Sequence, residues 1–457
     1  MSAARPAADP ALSERVSELL PTLIDDLKQL VAIPSVATEG FPPEPLFEAH
    51  DLVVGLLRDA GVESIEELRV EGKTAPVIVG RIPAPDGAPT VLLYTHYDVV
   101  PAGELGLWHT PPFEATEIDG AIYGRGTADS KANILSIVGA IKVHGGRPPV
   151  GITVIIEGQE EFGSPFDTYP PSAPEIFAAD AMIIADVGSV RPGHPTLTVA
   201  LRGSAQVDLE IRTLAADKHS GQYGGAAPDA RIAMIHLLAS IHDENGDVRV
   251  PGLRREPWTG ATYEDEEFRE LGEVEPGVPL FGTGTLGERI WSGPAVTVVA
   301  FEAPPVDGLI NAVAGHARAV LNLRVHPEQP AAEAQAALID YLSAQRPFGI
   351  GATVTAGEVG NGFAASLAGP GYDAAMDALA AAWDADAALM AGGGSIPLVM
   401  ALHEAVPAAE KLLLGATDGY ANIHAPNERV LIEELRKATL AKAVFFAEYA
   451  RRAREPR

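Results

Sequence analysis

Short apolar runs that alternate with helix-spaced segments constrain the fold of this chain more than any other feature. Residues 12–31 place apolar side chains at helical intervals until Pro34 stops them, and 44–60 repeats the pattern up to Gly61. Strand-like runs follow at 76–82, 90–95, 151–157 and 181–185, with a helical stretch at 131–144 among them. Strands interleaved with helices predict an α/β layered domain, a mixed β-sheet lying between helices.

Near residue 197 the rhythm changes. Strand-like runs at 196–201, 205–213, 295–301 and 316–325 accompany helical segments at 229–242 and 331–344, and the Pro/Gly/Glu-rich stretch 245–287 reads as loop. Alternation returns after Gly360, and a helix at 431–451 follows. The expected organisation is one α/β domain in two pieces, 1–197 and 361–457, interrupted by a smaller α+β domain at 198–360. A length of 457 residues exceeds what one hydrophobic core usually holds.

Composition then removes function classes. There is no cysteine, so disulfides and thiolate metal sites are excluded and any transition metal must be held by His, Asp and Glu. A formal net charge of -29 argues against a nucleic-acid partner, which needs clustered Lys and Arg. No apolar run approaches the roughly 20 residues of a membrane span, and residues 1–12 lack the apolar core of a signal peptide. A soluble, cytoplasmic protein without a membrane partner is expected.

Five places carry candidate chemistry. The run 91–94 leads into Thr95-His96-Tyr97-Asp98. Residues two apart on a strand point to one side, so His96 and Asp98 can meet, and a metal-bound His commonly gives its other N–H to a carboxylate. In Gly124-Arg125-Gly126-Thr127-Ala128-Asp129-Ser130-Lys131, Asp129 opens a helix, as a cap or as a carboxylate bridging two cations. Glu160 and Glu161 follow the run 152–156, and adjacent carboxylates repel each other unless something positive lies near. Asp186 follows 181–185, where α/β folds gather their sites. His424 lies in Ile423-His424-Ala425-Pro426-Asn427-Glu428. Singly, each has an ordinary explanation as a strand-end pair, a cap, surface acids, a turn residue or an isolated His. Jointly, His96, Asp129, Glu161, Asp186 and His424 form a sulfur-free donor set suited to two Zn²⁺ ions sharing a bridge, with Mn²⁺ or Co²⁺ also fitting.

In order and approximate spacing these motifs resemble the family of acetylornithine deacetylase, succinyl-diaminopimelate desuccinylase, glutamate carboxypeptidase and carnosine dipeptidase. Leu27-Lys28-Gln29-Leu30-Val31-Ala32-Ile33-Pro34-Ser35-Val36 resembles its N-terminal helix end. Lys218-His219-Ser220-Gly221-Gln222-Tyr223-Gly224-Gly225 and Gly393-Gly394-Ser395-Ile396-Pro397 resemble the carnosinase-like dipeptidase branch. The resemblance implies a zinc-peptidase-like catalytic domain interrupted by a lid that carries a homodimer interface. It implies two Zn²⁺ per subunit, with His96 and Asp186 on one, Glu161 and His424 on the other, and Asp129 between them. Asp98 would be the partner of His96 and Glu160 the general base. His219 would be an oxyanion donor delivered to the neighbouring subunit, and Arg324 a bidentate grip on the substrate's carboxylate. Asn311 and Ser395 would be substrate contacts, and the Asp129–Ser130 peptide would be cis. Ala391 and Gly392 stand where such relatives commonly carry Arg-Glu, so a carnosine specificity is not carried over.

The expected function is hydrolysis of the amide bond of a dipeptide or similar small substrate with a free carboxylate, by metal-activated water and a Glu base. An N-acyl-amino-acid deacylase or desuccinylase is the alternative on the same metal site. A non-catalytic metal-binding protein is less favoured, because such a protein would have no need of Glu160 as a base.

Overall fold

The structure is a computed structural model, and it describes residues 6–70, 75–394 and 396–454. Two compact units emerge: residues 1–199 with 365–390 and 398–457, and residues 200–364 with 391–397. The architecture is mixed α/β.

In the first unit the sheet order is Ser64–Leu68, Val77–Ile82, Gly151–Glu157, Thr90–His96, Ala181–Ile184, Glu410–Leu413 and Thr196–Leu201. The strands Gly151–Glu157, Thr90–His96, Ala181–Ile184 and Glu410–Leu413 run parallel, and antiparallel strands flank them. Every residue of Gly151–Glu157 and Ala181–Ile184 is buried, as expected of parallel strands covered on both faces. Helices Glu44–Asp59, Ala132–Val143 and Pro370–Trp383 lie against the sheet, and Pro10–Val31 and Ile432–Arg452 pack on Ala132–Val143. That central helix is buried almost all round, which explains its apolar composition.

Helix Pro10–Val31 shows how local chemistry sets an element. Asp9 caps it by accepting from the Ala11 N–H, and Pro10 takes a first-turn position that needs no donor. Its apolar face buries Leu12, Val16, Leu23, Leu27 and Leu30. At the far end Lys131 Nζ donates to the carbonyls of Leu30 and Ile33, 2.8 Å each. These are groups that a helix terminus leaves without an internal partner.

The second unit is built on a four-stranded antiparallel sheet in the order Ala295–Phe301, His316–Val325, Gly203–Arg212, Thr353–Gly360. Burial alternates along Gly203–Arg212 and His316–Val325, the mark of one covered face. Helices Ala230–Ala239 and Ala331–Ala344 provide the cover, closing a core of Val207, Leu209, Met234, Leu237, Leu321 and Leu338. The stretch expected to be loop, 245–287, contains helix Asp265–Leu271 and the start of Leu286–Ile290. Both begin with capping boxes, Glu264 with Glu267 and Thr285 with Glu288, so local capping forms helices where Pro and Gly dominate the composition.

No helix among the described residues is long and apolar enough to cross a membrane.

Candidate metal centre

The parallel strands bring their C-terminal ends to one side of the sheet, and the candidate residues stand there. His96 is the last residue of Thr90–His96, and Asp98 follows it; both are fully buried. Glu160 and Glu161 open the turn Glu160–Phe162 beyond Gly151–Glu157. Asp186 lies two residues past Ala181–Ile184. Asp129 sits in the turn Thr127–Lys131 that enters helix Ala132–Val143, with φ -123 and ψ 89. The Asp129–Ser130 peptide is cis, as the resemblance implies. His424 arrives on a loop before Arg429–Leu431, in a left-handed conformation with φ 61.

The geometry is a chain of shared contacts. His96 Nε2 lies 2.9 Å from Asp129 Oδ1 and 3.2 Å from Asp186 Oδ1. His424 Nε2 lies 3.0 Å from Asp129 Oδ2 and 2.9 Å from Glu161 Oε2. Ligand-type atoms of His96, Asp129 and Glu161 fall within 4.8 Å of one another, and so do those of His96, Glu160 and Asp186. The other nitrogen of His96, Nδ1, is 3.1 Å from the Asp98 carbonyl and 3.4 Å from its Oδ1. The Asp98 carboxylate also binds backbone, its two oxygens accepting the N–H groups of Glu160 and Glu161 at 3.1 Å each. One side chain thereby orders both the histidine and the adjacent acids.

The electrostatics show a site short of positive charge. Burial, then Asp186, pushes Glu160 up to about 9. Burial raises Glu161 to about 7 against the hydrogen bond to His424, and it raises Asp186 as well. For Asp129 burial also works upward, but hydrogen bonds to His424 and His96 outweigh it and hold the group below the usual carboxylate range. Burial would lower His96, yet Asp186 and the hydrogen bonds to Asp129, Asp186 and Asp98 raise it well above an ordinary imidazole. Hydrogen bonds to Asp129 and Glu161 take His424 up to about 10. The two histidines are drawn into the role of cations.

That is the environment a divalent cation fits. The donors are imidazole nitrogen and carboxylate oxygen, which suit zinc and its neighbours. In addition, Glu161 Oε1 is buried and has no hydrogen-bond partner, an oxygen available to a metal.

Sequence reasoning passed over residues that hold these ligands. Glu428, fully buried, accepts from Arg125 Nη1 at 2.6 Å and from the N–H groups of Gly126, Ala128 and Asp129 at 2.9, 2.9 and 3.0 Å. Asp418 and Arg429 form a buried two-pronged ion pair at the base of the loop carrying His424. Both Arg125 and Glu428 lie inside the motifs around Asp129 and His424; a charged residue between two glycines was the signal available.

The second unit carries the other candidates. His219 and Asn311 are brought together: Lys218–His219 pairs with Ala312–Val313, and the Ser220 N–H donates to the Asn311 carbonyl at 2.9 Å. Both residues are exposed. His219 Nδ1 accepts the Gly221 N–H at 3.1 Å, so a neutral ring carries its proton on Nε2 and is ready to donate. Arg324 lies half-buried in His316–Val325, paired with Ser204. Burial, then the neighbouring Arg324, pushes Arg202 down to about 10, so positive charge accumulates there. Ser395 lies outside the described residues.

The pattern of peptidase family M20/M25/M40 matches residues 92–445. The Cysteinylglycine-S-conjugate dipeptidase of Corynebacterium striatum is 37% identical over 412 residues, 88% of this chain and 90% of that one. The Beta-Ala-His dipeptidase of Homo sapiens is 27% identical over 484 residues, 97% of this chain and 94% of that one. Among solved structures, the dipeptidase Dug1p from Saccharomyces cerevisiae matches with a TM-score of 0.78 at 22% identity, covering 98% of this chain and 99% of that one, a likeness of fold.

Proposed function

The chain belongs to peptidase family M20/M25/M40, and from that premise we propose that it is a metal-dependent dipeptidase that cleaves the amide bond of a small substrate with a free carboxylate. The observation that carries this reading is Asp129. Its two oxygens face two different histidines, at 2.9 and 3.0 Å, and each histidine has a further carboxylate beside it. In this reading His96 and Asp186 would hold one ion, Glu161 and His424 would hold the other, and Asp129 would serve both. Zinc is proposed, with Mn²⁺ and Co²⁺ accepted by the same donors. The dipeptidase names of the two relatives support the carnosinase-like branch.

When bound, the ions supply Lewis acidity to the scissile carbonyl and to the attacking water. Glu160 takes the water's proton and hands it to the leaving amine. Its position beside His96 and Asp186, with its own N–H held by Asp98, supports that role. His219 donates from Nε2 to the developing oxyanion. Arg324 grips the substrate's carboxylate, and Asn311 and Ser395 contact the substrate. The second unit is the lid, and a second copy completes the site. Strand Ala295–Phe301 supports this: it ends the sheet order, and Val298, Val299 and Phe301 are exposed on it. An apolar sheet edge left to water is a template for pairing. Ile232 and Ile235 of helix Ala230–Ala239 are exposed as well.

Chelator-treated protein is expected to lose hydrolysis and to regain it with Zn²⁺, Mn²⁺ or Co²⁺. A panel of dipeptides and N-acyl amino acids then identifies the substrate class. Full activity in protein shown by elemental analysis to be metal-free overturns the reading. Turnover of acyl amino acids alone moves the site to the deacylase alternative.

A further inference from the structure

Asp129 and His424 lie about three hundred residues apart in the chain, yet they meet within hydrogen-bond distance. Neither segment is in a conformation that holds itself. Asp129 departs from helical angles inside its turn, and His424 has φ 61 while Asn427 has φ 63, values that non-glycine residues seldom adopt. Something must hold both backbones.

We propose that the buried Arg125–Glu428 pair is a positioning clamp that aims the Asp129 carboxylate at two metals at once. Glu428 is four residues beyond His424, and Arg125 is four residues before Asp129. Each carboxylate oxygen of Glu428 takes two donors from the opposite segment. Oε2 receives Arg125 Nη1 at 2.6 Å and the Gly126 N–H at 2.9 Å. Oε1 receives the N–H groups of Ala128 and of Asp129 itself, at 2.9 and 3.0 Å. Arg125 returns the grip, donating through Nη2 to the Ala425 carbonyl at 3.2 Å, next to His424. Trp108 covers the guanidinium, its ring centroid 5.2 Å away. Side-chain exposure is 2% for Arg125 and 0% for Glu428, so the pair is shielded from water and from salt. A buried charge pair of this kind is a weak source of stability but a strong source of geometry, because both charges must stay paired and hydrogen-bonded. Lys131 anchors the far side of the same turn through the carbonyls of Leu30 and Ile33. The turn is therefore gripped at both ends, with Asp129 between the grips.

Both carboxylate oxygens of Glu428 are taken by Arg125 and backbone N–H groups, so in this proposal it is a positioning residue that acts through Asp129. The inference rests on the di-metal reading, and the experiment separates the two. Metal-free wild-type and Glu428→Gln proteins are titrated with Co²⁺, followed by visible absorption, and each protein's metal content is counted after equilibration in metal buffers. Wild type is expected to take up two equivalents. Glu428→Gln keeps the shape but loses the ion pair and one pair of acceptor sites. Its second equivalent is expected to bind about 10–100-fold more weakly, the usual effect of removing an outer-shell partner. The metal-free variant is expected to unfold at a lower temperature, because Arg125 is left buried without its counter-charge, so uptake is compared at a temperature where both proteins are folded. Wild-type protein that takes up no Co²⁺ defeats the di-metal reading itself. Wild type and variant both taking up two equivalents with equal affinity overturns the clamp alone. If Glu428→Gln does not fold, Arg125→Lys carries the test, since it keeps the charge but cannot reach Glu428 and Ala425 together. A weakened second equivalent is expected there too, and an unchanged one overturns the proposal.

Discussion

His96 and His326 each stand among carboxylates whose ligand-type atoms lie within reach of one another, and the two clusters differ in what answers the negative charge. In the first unit, His96 meets Asp129 and Asp186, whose side chains are 13% and 11% exposed. In the second, His326 lies 3.7 Å from Glu256 near Glu328, whose side chains are 47% and 53% exposed. There Arg254 supplies the cation, 2.7 Å from Glu256 and 2.8 Å from Glu328. Burial, then Arg254, holds His326 below an ordinary imidazole. In the first cluster the histidines themselves are driven upward. The Arg125–Glu428 pair is sealed like the first cluster and answered like the second. Ligand-type atoms within reach of one another do not make a metal centre. Carboxylates shut away from water, with only histidines to answer them, are the sharper sign.

The contrast can be broken most severely at Glu160. Glu160→Gln is expected to keep two metals and lose about 10²–10⁴ in turnover, because an amide cannot accept the water's proton. Glu161→Gln should instead lose one metal per chain. Steady-state kinetics with elemental analysis checks both, and equal loss of metal from the two variants would refute the division of labour within this pair.

A subtler effect is expected from His219. On the proposed delivery of His219 to a second copy, inactive His219→Ala and inactive Glu160→Gln chains, allowed to exchange subunits, should regain activity, since a mixed dimer would hold one site with both groups intact. In an equal mixture roughly a quarter of the sites would be complete, given random pairing in a two-fold dimer. No recovery after proven exchange would mean that His219 serves its own chain or has no catalytic part.

The smallest effect should come from the second cluster. His326→Ala and Arg254→Ala are expected to leave metal content and kcat/KM at wild-type values, with a small change in melting temperature for Arg254→Ala, whose partner acids already face water, and a larger one for His326→Ala, which removes a buried ring that accepts the Glu328 N–H. A variant that lost metal would erase the distinction between the clusters.

The α/β architecture and the candidate ligands were legible in sequence because parallel strands are uniformly apolar and end abruptly in polar residues. His96, Asp98 and Asp186 stand where the apolar runs 90–95 and 181–185 stop. What holds them was harder to read. The Arg125–Glu428 contact joins positions 303 residues apart, and no local period announces such a pair. Asp98 was read as a partner of His96, but its hold on the N–H groups of Glu160 and Glu161 depends on neighbouring strands. Helix Leu286–Ile290 was hidden by its glycines, although Thr285 and Glu288 spell out its capping box. Asn311 beside His219 became visible only through a two-residue ladder too short to show in composition.

The central claim is that Asp129 serves two metals, and metal counting on wild type and Asp129→Asn tests it most directly. Both proteins are equilibrated with Zn²⁺ in metal buffers and their content is measured against protein concentration. The account predicts two Zn²⁺ per wild-type chain and a sharp fall for Asp129→Asn, which keeps its size but loses the charge both ions share. One Zn²⁺ or none in the wild type, or two retained by Asp129→Asn at unchanged affinity, would contradict it.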